Sequence, residues 1–378
     1  MSSFQEIESK WKESGLSDML LAKFKTLLTD ESEEGVKSCV ELLRSFGDEG
    51  LCVVLKQEEN GQIVLREDLG IVHRLLWMVE MIAIITKDGG VWKPLYESGA
   101  FDSMEEQVLG NVEWSNLSEL QQKKVVSFSM SFVEVSAGNF MMGALTNDDE
   151  AYNDEKPQHK VTLTKGMLVC KYACTQGLYE KVMSENPSDF KGSTKPVENV
   201  SWCDAVLFCN KLSEMEGLEP TYLLPDPFEN DEDWSMKVKW NKNANGYRLP
   251  TEAEWEYCAR GGESHLYSGS DNIYEVAWYD DNSGNETHPV GQKKENGFGL
   301  YDMSGNVDEW VWDSWKRNYN PSSVIDPINV DLSADGRVCR GGGCENSAGN
   351  SRVSYRNWDY TSYRDRDLGF RLLRTLGG

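Results

Sequence analysis

The period of the hydrophobic pattern changes near residue 128, and that change limits what each side of it can fold into. On the N-terminal side, apolar residues recur at helical spacing from Leu16 to Leu28 and again from Gly35 to Phe46, with Val36, Val40, Leu42, Leu43 and Phe46 carrying the second run. Asp30 and Ser32 offer N-cap oxygens ahead of that run, and Gly47 stands where a left-handed residue suits a helix end. A third run, Asp68 to Ile85, is apolar on most faces and predicts a central helix. Asn111 to Ser131 reads as a connecting helix followed by a polar hinge. Residues 1–128 are therefore expected to form a small all-α domain.

Beyond the boundary the texture becomes short strands punctuated by Gly, Asn, Asp and Pro, as in FVEVSAGNFMMG and HKVTLTKGMLVCKY. Three segments keep the helical period: Thr175 to Glu185, Ser201 to Glu216, and a helix opening at Pro250-Thr251-Glu252. In the last, Thr251 is the expected cap and Glu254 its reciprocal partner. Asp226 to Asn245 is acidic and reads as a strand pair or a loop. The pattern over 129–378 is that of an α+β domain with little regular structure.

Composition excludes several functions. With 38 Lys+Arg against 63 Asp+Glu, the formal charge of −25 repels phosphate backbones and anionic lipid, so neither nucleic acid nor a membrane is an expected partner. No stretch reaches the roughly 18 uncharged apolar residues of a membrane span, and Met1 to Trp11 carry no apolar run. The nine cysteines are odd in number and scattered, without a CxxC pair, which suits reduced thiols in a cytoplasm better than a disulfide framework.

Read in order, the second part contains FVEVSAGNFMMG, Pro157-Gln158-His159-Lys160-Val161, KPVENVSWCDAVLFCNKLSE, GYRLPTEAEWEYCARGG, NGFGLYDMSGNVDEWVWD, RVCRGGG and LGFRLLR. This series resembles the formylglycine-generating enzyme and sulfatase-modifying-factor family over about 245 residues. The resemblance implies that family's C-type-lectin-like fold for residues 129–378. Within the first part, EEGVKSCVELLRSFGDEGLCVVL resembles one HEAT-like helical repeat.

Formylglycine-generating members use a copper site of two cysteines five positions apart, after the glycine turn. Aligned on Gly341-Gly342 and Arg356, those positions hold Asn346 and Ser351, neither of which can bind copper as a thiolate. Cys339 and Cys344 have the right separation but straddle the turn, and this pair carries the alternative reading, a cysteine- and copper-dependent oxidase with relocated thiols. The sulfoxide-forming branch needs an HxxxHxE iron helix. With only His73, His159, His265 and His288, no such spacing exists, so neither copper nor iron is expected. The resemblance also implies a structural calcium ion, with carboxylates from Asp302 and Glu309 and backbone carbonyls from Gly305 and Val307.

The stretch from Gly343 to Asp367 is almost entirely Tyr, Asn, Asp, Ser, Gly and Arg, a composition typical of adaptable binding loops. It resembles the variable region of diversity-generating-retroelement target proteins, which end in an RVSxR…LGFR frame. Here the frame is Arg352, Val353, Ser354, Arg356, Leu368, Gly369, Phe370 and Arg371. In such systems adenines of Asn codons are randomised. Cys344, Asn346, Ser347, Gly349, Asn350, Tyr355, Asn357, Asp359, Tyr360, Ser362, Tyr363, Asp365, Arg366 and Asp367 all hold residues reachable from an Asn codon, as most amino acids are; Trp358 does not, but is expected on the same face. The expectation is a non-catalytic binding protein. Residues 343–367 would take a protein or other macromolecular ligand, and the helical domain would meet a protein partner of its own. Tyr355, Trp358, Tyr360 and Tyr363 are expected on one exposed face, above a frame that is buried or hydrogen-bonded.

Overall fold

The computed structural model describes residues 112–117, 119–331 and 336–376, together with two short strands nearer the N-terminus. The chain divides into two compact units, Met1–Val108 and Leu109–Gly378. The three helices and the HEAT-like repeat expected before residue 111 lie outside the described residues.

In the first unit, β1 (Lys56–Glu59) pairs antiparallel with β2 (Gln62–Leu65). This strand pair was not among the expected elements. Glu59 faces Gln62, and the sequence between them is Asn60-Gly61, the pair that two-residue hairpins favour because both positions tolerate positive φ.

The second unit begins with the helix that was expected to be a connector. Helix α1 (Glu119–Ser129) buries Val125 against Leu117 and Trp114, and Ser129 Oγ lies 2.6 Å from Thr175 Oγ1. It belongs to the body that follows.

That body is organised on a six-stranded mixed sheet in the order β12-β11-β9-β13-β6-β3, with β3 (Phe132–Val135), β6 (Met167–Ala173), β9 (Asp308–Ser314), β11 (Arg337–Arg340), β12 (Asn357–Asp359) and β13 (Leu368–Thr375). Central β9 is buried at all seven positions, and its neighbours alternate between two cores, as a strand covered on both faces must. Trp310, Trp312, Phe370 and Leu372 face one core with α2 (Gln176–Met183) and α3 (Trp202–Met215). Val311, Val338 and Leu373 face the other, with β4 (Gly138–Met142) and β5 (His159–Leu163). Each fully buried apolar side chain contributes about 1.5–3 kcal/mol relative to leaving it exposed, in both cores.

The helices stop and start where local chemistry dictates. Between the two cores' lengths of chain lies α4 (Glu232–Ser235), beside a two-residue strand pair, β7 (Tyr222–Leu223) with β8 (Lys239–Trp240), so the acidic segment is part helix as well as part strand. In α5 (Glu252–Arg260), Thr251 and Glu254 form the expected reciprocal cap and Gly261 closes the helix at φ +58°. Trp255 and Ala259 lie buried on one face of it. The edge strand pair β10 (Val324–Ile325) with β5 completes a separate three-stranded sheet, β10-β5-β4.

Candidate binding face

Residues 343–367 emerge from the glycine turn after β11 and return to the sheet as β13. Gly342 holds φ +69°, and a Cβ there would sit 2.8 Å from the Asn350 carbonyl oxygen, so the turn can fold back on the stretch only with glycine. In between, the stretch supplies β12, the outer edge strand of the sheet.

The frame beneath is a set of buried arginines with buried carboxylates. Arg352 Nη1 donates to Asp148 Oδ2 at 2.7 Å and to Glu155 Oε2 at 2.7 Å, while Nη2 donates to Glu155 Oε1 at 2.8 Å. Ser354 Oγ adds a bond to Glu155 at 2.7 Å. Arg356 grips Glu252 through two bonds of 2.5 and 2.8 Å and also donates to the Asp154 and Lys316 carbonyls. Arg340 pairs with Glu256 and donates to the Tyr355 carbonyl. Arg371 donates to Glu309 and to the carbonyls of Cys170, Lys171 and Tyr301. Burial acts to raise the carboxyl pKa of Glu155 and Glu252, yet the adjoining guanidiniums hold both below the usual range. Val353 and Phe370 are buried as expected.

Above this frame the aromatics come to the surface. Tyr360 is 52% and Tyr363 40% exposed, joined in one turn by a 2.9 Å bond from Tyr363 N to the Tyr360 carbonyl. Half-buried Trp358 meets Tyr360 edge-on at 6.0 Å and stacks on Trp315 at 6.1 Å. Half-buried Tyr355 meets Tyr152 edge-on at 6.1 Å. None of the four is in the core. The polar positions pair among themselves or with fixed residues: Ser347 Oγ with Asn350 Oδ1 at 2.7 Å, Tyr363 Oη with Asp365 at 2.6 Å, Ser362 Oγ with Glu232 at 2.7 Å, and Arg366 with Glu345. Gly349 is half-buried, and Asp359 lies on the edge strand.

Two expected surface positions are not on the surface. Cys344 is fully buried and Asp367 nearly so, because Gly343 packs directly on the Asp367 carboxylate. Asp367 accepts from Asn346 at 3.3 Å, and Asn357 turns inward to Asp308 at 3.2 Å. These four residues form the floor of the region. Burial pushes the Asp367 carboxyl up to about 6 and that of Asp308 up to about 7.

The expected calcium ligands are largely engaged with other groups of the protein. Glu309 Oε1 accepts from Arg371 at 2.8 Å and Oε2 from Trp255 Nε1 at 2.8 Å, so its charge is already neutralised. Gly305 accepts from Val307 N at 3.0 Å, and Asp302 Oδ2 accepts from Gly291 N at 2.7 Å. Of the two carboxylates, Asp302 Oδ1 is the oxygen buried without a hydrogen-bond partner. Among the described residues, no cluster of three or more His, Cys, Asp or Glu is arranged to hold a metal ion.

The thiols fare similarly. All seven cysteines among the described residues are free and buried. Burial pushes Cys170 up to about 11 and Cys203 to about 12, and raises Cys339 and Cys344 as well. Ser351, at one aligned copper position, is buried, and Asn346, at the other, is committed to Asp367 and Gly343.

Sequence reasoning missed Tyr152, Trp315 and the carboxylates Asp148, Glu155, Glu252 and Glu256 as parts of this region. A buried arginine demands a carboxylate. Which carboxylate, some 200 residues away, no local spacing reveals.

Comparison with known proteins bears on the family and the fold. The chaperone protein LppX of Paenibacillus barcinonensis is 38% identical over 259 residues, 62% of this chain and 87% of the relative. The solved structure of Treponema denticola variable protein 1 superposes with a TM-score of 0.60 at 37% identity, covering 64% of this chain and 94% of that one. The formylglycine-generating enzyme of Mycobacterium tuberculosis is 29% identical over 246 residues, 53% of this chain and 79% of the enzyme. With residues 118–376 matching the family throughout, the chain belongs to the sulfatase-modifying factor enzyme 1-like domain family.

Proposed function

We propose that this chain is a non-catalytic binding protein of the diversity-generating-retroelement variable type, presenting residues 343–367 to a protein or other macromolecular ligand. The observation that carries the reading is the division of labour within that stretch. Arg352, Val353, Ser354 and Arg356 are buried and bonded to fixed carboxylates or core, while Tyr355, Trp358, Tyr360 and Tyr363 reach the surface between and after them. A surface can be diversified when stability sits elsewhere, because core changes cost about 1–5 kcal/mol against a total of about 5–15. The likeness to a protein named variable protein 1 supports the same reading.

The proposal extends to the rest of the molecule. The N-terminal unit meets a separate protein partner, neither copper nor iron takes part, and the free thiols suit a reducing cytoplasm. No helix among the described residues is long and apolar enough to cross a membrane.

The test is at the locus. Deep sequencing of the gene in a growing population should find substitutions concentrated in adenine-bearing codons of 343–367, with codons 352–354 and 356 unchanged and a near-copy of the segment beside a reverse transcriptase. Uniform substitution along the gene would sink the reading. The likeness to formylglycine-generating enzymes motivates a second check, titration of the reduced protein with Cu(I). Tight one-to-one binding would favour the oxidase instead.

A further inference from the structure

Two fixed segments flank the variable stretch, and neither lies within it. On one side, residues 146–156 are held by the frame: Arg352 binds Asp148, Glu155 and the Glu150 carbonyl, and Arg356 binds the Asp154 carbonyl. This clamps Tyr152 beside Tyr355 with 61% of its surface exposed, and brings the Glu150 carboxylate next to Gly349. On the other side, α4 is tied to the stretch by Ser362 to Glu232 and Thr361 to Ser235, at 2.7 and 3.0 Å. Exposed Phe228 packs edge-on against Trp234 there.

Both flanks share one chemistry. Leaving aside Asp148 and Glu155, which are buried against Arg352, residues 146–156 carry three carboxylates against one lysine, and residues 226–237 carry five against one. The variable stretch does not offset them, since Arg364 is paired with Asp204 and Arg366 with Glu345. Exposed Lys316 and Arg317 follow Trp315 in the chain. The chain as a whole carries −25.

We propose that the binding face extends onto these fixed flanks, with Tyr152 as a constant aromatic anchor, and that it fits a protein partner with a basic surface patch. This deepens the binding-protein reading and rests on it. Diversified side chains would choose among basic partners, while Tyr152 and the flanking carboxylates supply contact and charge that every variant keeps. An exposed tyrosine fixed from below is suited to this, since it gives contact area with little further ordering on binding. Acidic flanks favour encounter with a cationic surface and repel an anionic one.

The experiment displays the full chain with positions 355, 357, 359, 360, 362, 363 and 365 randomised, and selects separately on lysozyme, a cationic protein, and serum albumin, an anionic one. Binders should be enriched on lysozyme well beyond albumin, and Tyr152→Ala should weaken most lysozyme binders at least tenfold, with Tyr152→Phe largely retaining affinity. Tyr152 is exposed, so its replacement should leave folding intact, with circular dichroism as the check. Lysozyme binders indifferent to Tyr152→Ala would overturn the anchor. Equal enrichment on both probes would overturn the basic partner. A library yielding no binder to either probe would instead bring down the binding-protein reading itself.

Discussion

Arg371 on the last strand closes on Glu309 of β9, Nη2 to Oε1 at 2.8 Å, with both side chains almost wholly buried. The two strands run parallel there, and the pair ties the chain's final turn to the centre of the sheet. Removing one partner of a buried pair leaves an uncompensated charge and typically costs about 3–5 kcal/mol. Glu309→Gln keeps the shape and the Trp255 bond but strands Arg371, so it should lower the melting temperature by roughly 10 °C. Millimolar calcium or EDTA should leave the unaltered protein's melting temperature where it is. A calcium-dependent rise of several degrees would show Glu309 to be a ligand after all.

The thiols give a second measurement. A reactive cysteine needs a thiolate and access, and the seven described cysteines have neither. Brief labelling of the native protein with iodoacetamide, mapped by mass spectrometry, should leave Cys170, Cys174, Cys203, Cys209, Cys258, Cys339 and Cys344 unmodified, and labelling in guanidinium should modify all of them. Rapid native labelling of Cys339 or Cys344 would revive the relocated-thiol oxidase.

What the sequence disclosed, and what it hid, follows the range of the interactions. The caps of α5 and the strands FVEV, HKVTL and MLVCKYA were legible because cap chemistry and period-2 alternation act over a few residues. The identity of the frame was legible through its motifs. Its wiring was not, since Arg352 reaches back 197 residues to Glu155 and Arg356 reaches 104 to Glu252. The Asn-Gly pair in the sequence between β1 and β2 was a local signal overlooked in favour of the helical runs around it. Cys344 and Asp367 were misplaced on the surface because composition marks a binding stretch without saying which of its residues fold inward.

Glu198 makes stability depend on pH in a stated direction. Its carboxyl is buried, Oε2 has no hydrogen-bond partner, and burial pushes its pKa up to about 7. An unfolded Glu ionises near 4.3, so between about 4.3 and 7 the folded state holds more protons and stability falls as pH rises. Glu155, Glu252 and Glu254 act oppositely: their folded pKa values are lowered, so their contribution is present above the unfolded pKa and is lost as pH falls below it. The melting temperature should therefore peak on the acid side of neutrality. Glu198→Gln should flatten the decline between pH 5 and 7.5, since Gln can still accept from Phe190 N. Parallel melting curves for the two proteins would refute this role for Glu198.

If residues 343–367 form the proposed binding face, substitutions there should separate binding from stability. Tyr360 and Tyr363 are half exposed or nearly so, and exposed substitutions usually change stability by about 0.5 kcal/mol. Tyr360→Ala with Tyr363→Ala should thus hold the melting temperature within about 3 °C. Adding Tyr355→Ala removes the edge-on contact with Tyr152, a further loss of about 0.5–1.5 kcal/mol and a few more degrees. Arg352→Ala lies in the same stretch but leaves Asp148 and Glu155 buried without their cation, and should destabilise by about 3–5 kcal/mol. For any ligand captured by this protein, the order should reverse: the tyrosine variants lose about 2 kcal/mol of binding for each anchor removed while remaining folded. Calorimetric melting beside binding of the same samples reads both quantities. Tyrosine variants that unfold, or that bind unchanged, would show that these side chains serve the core or nothing at all, and the diversified face would have to be sought elsewhere on the domain.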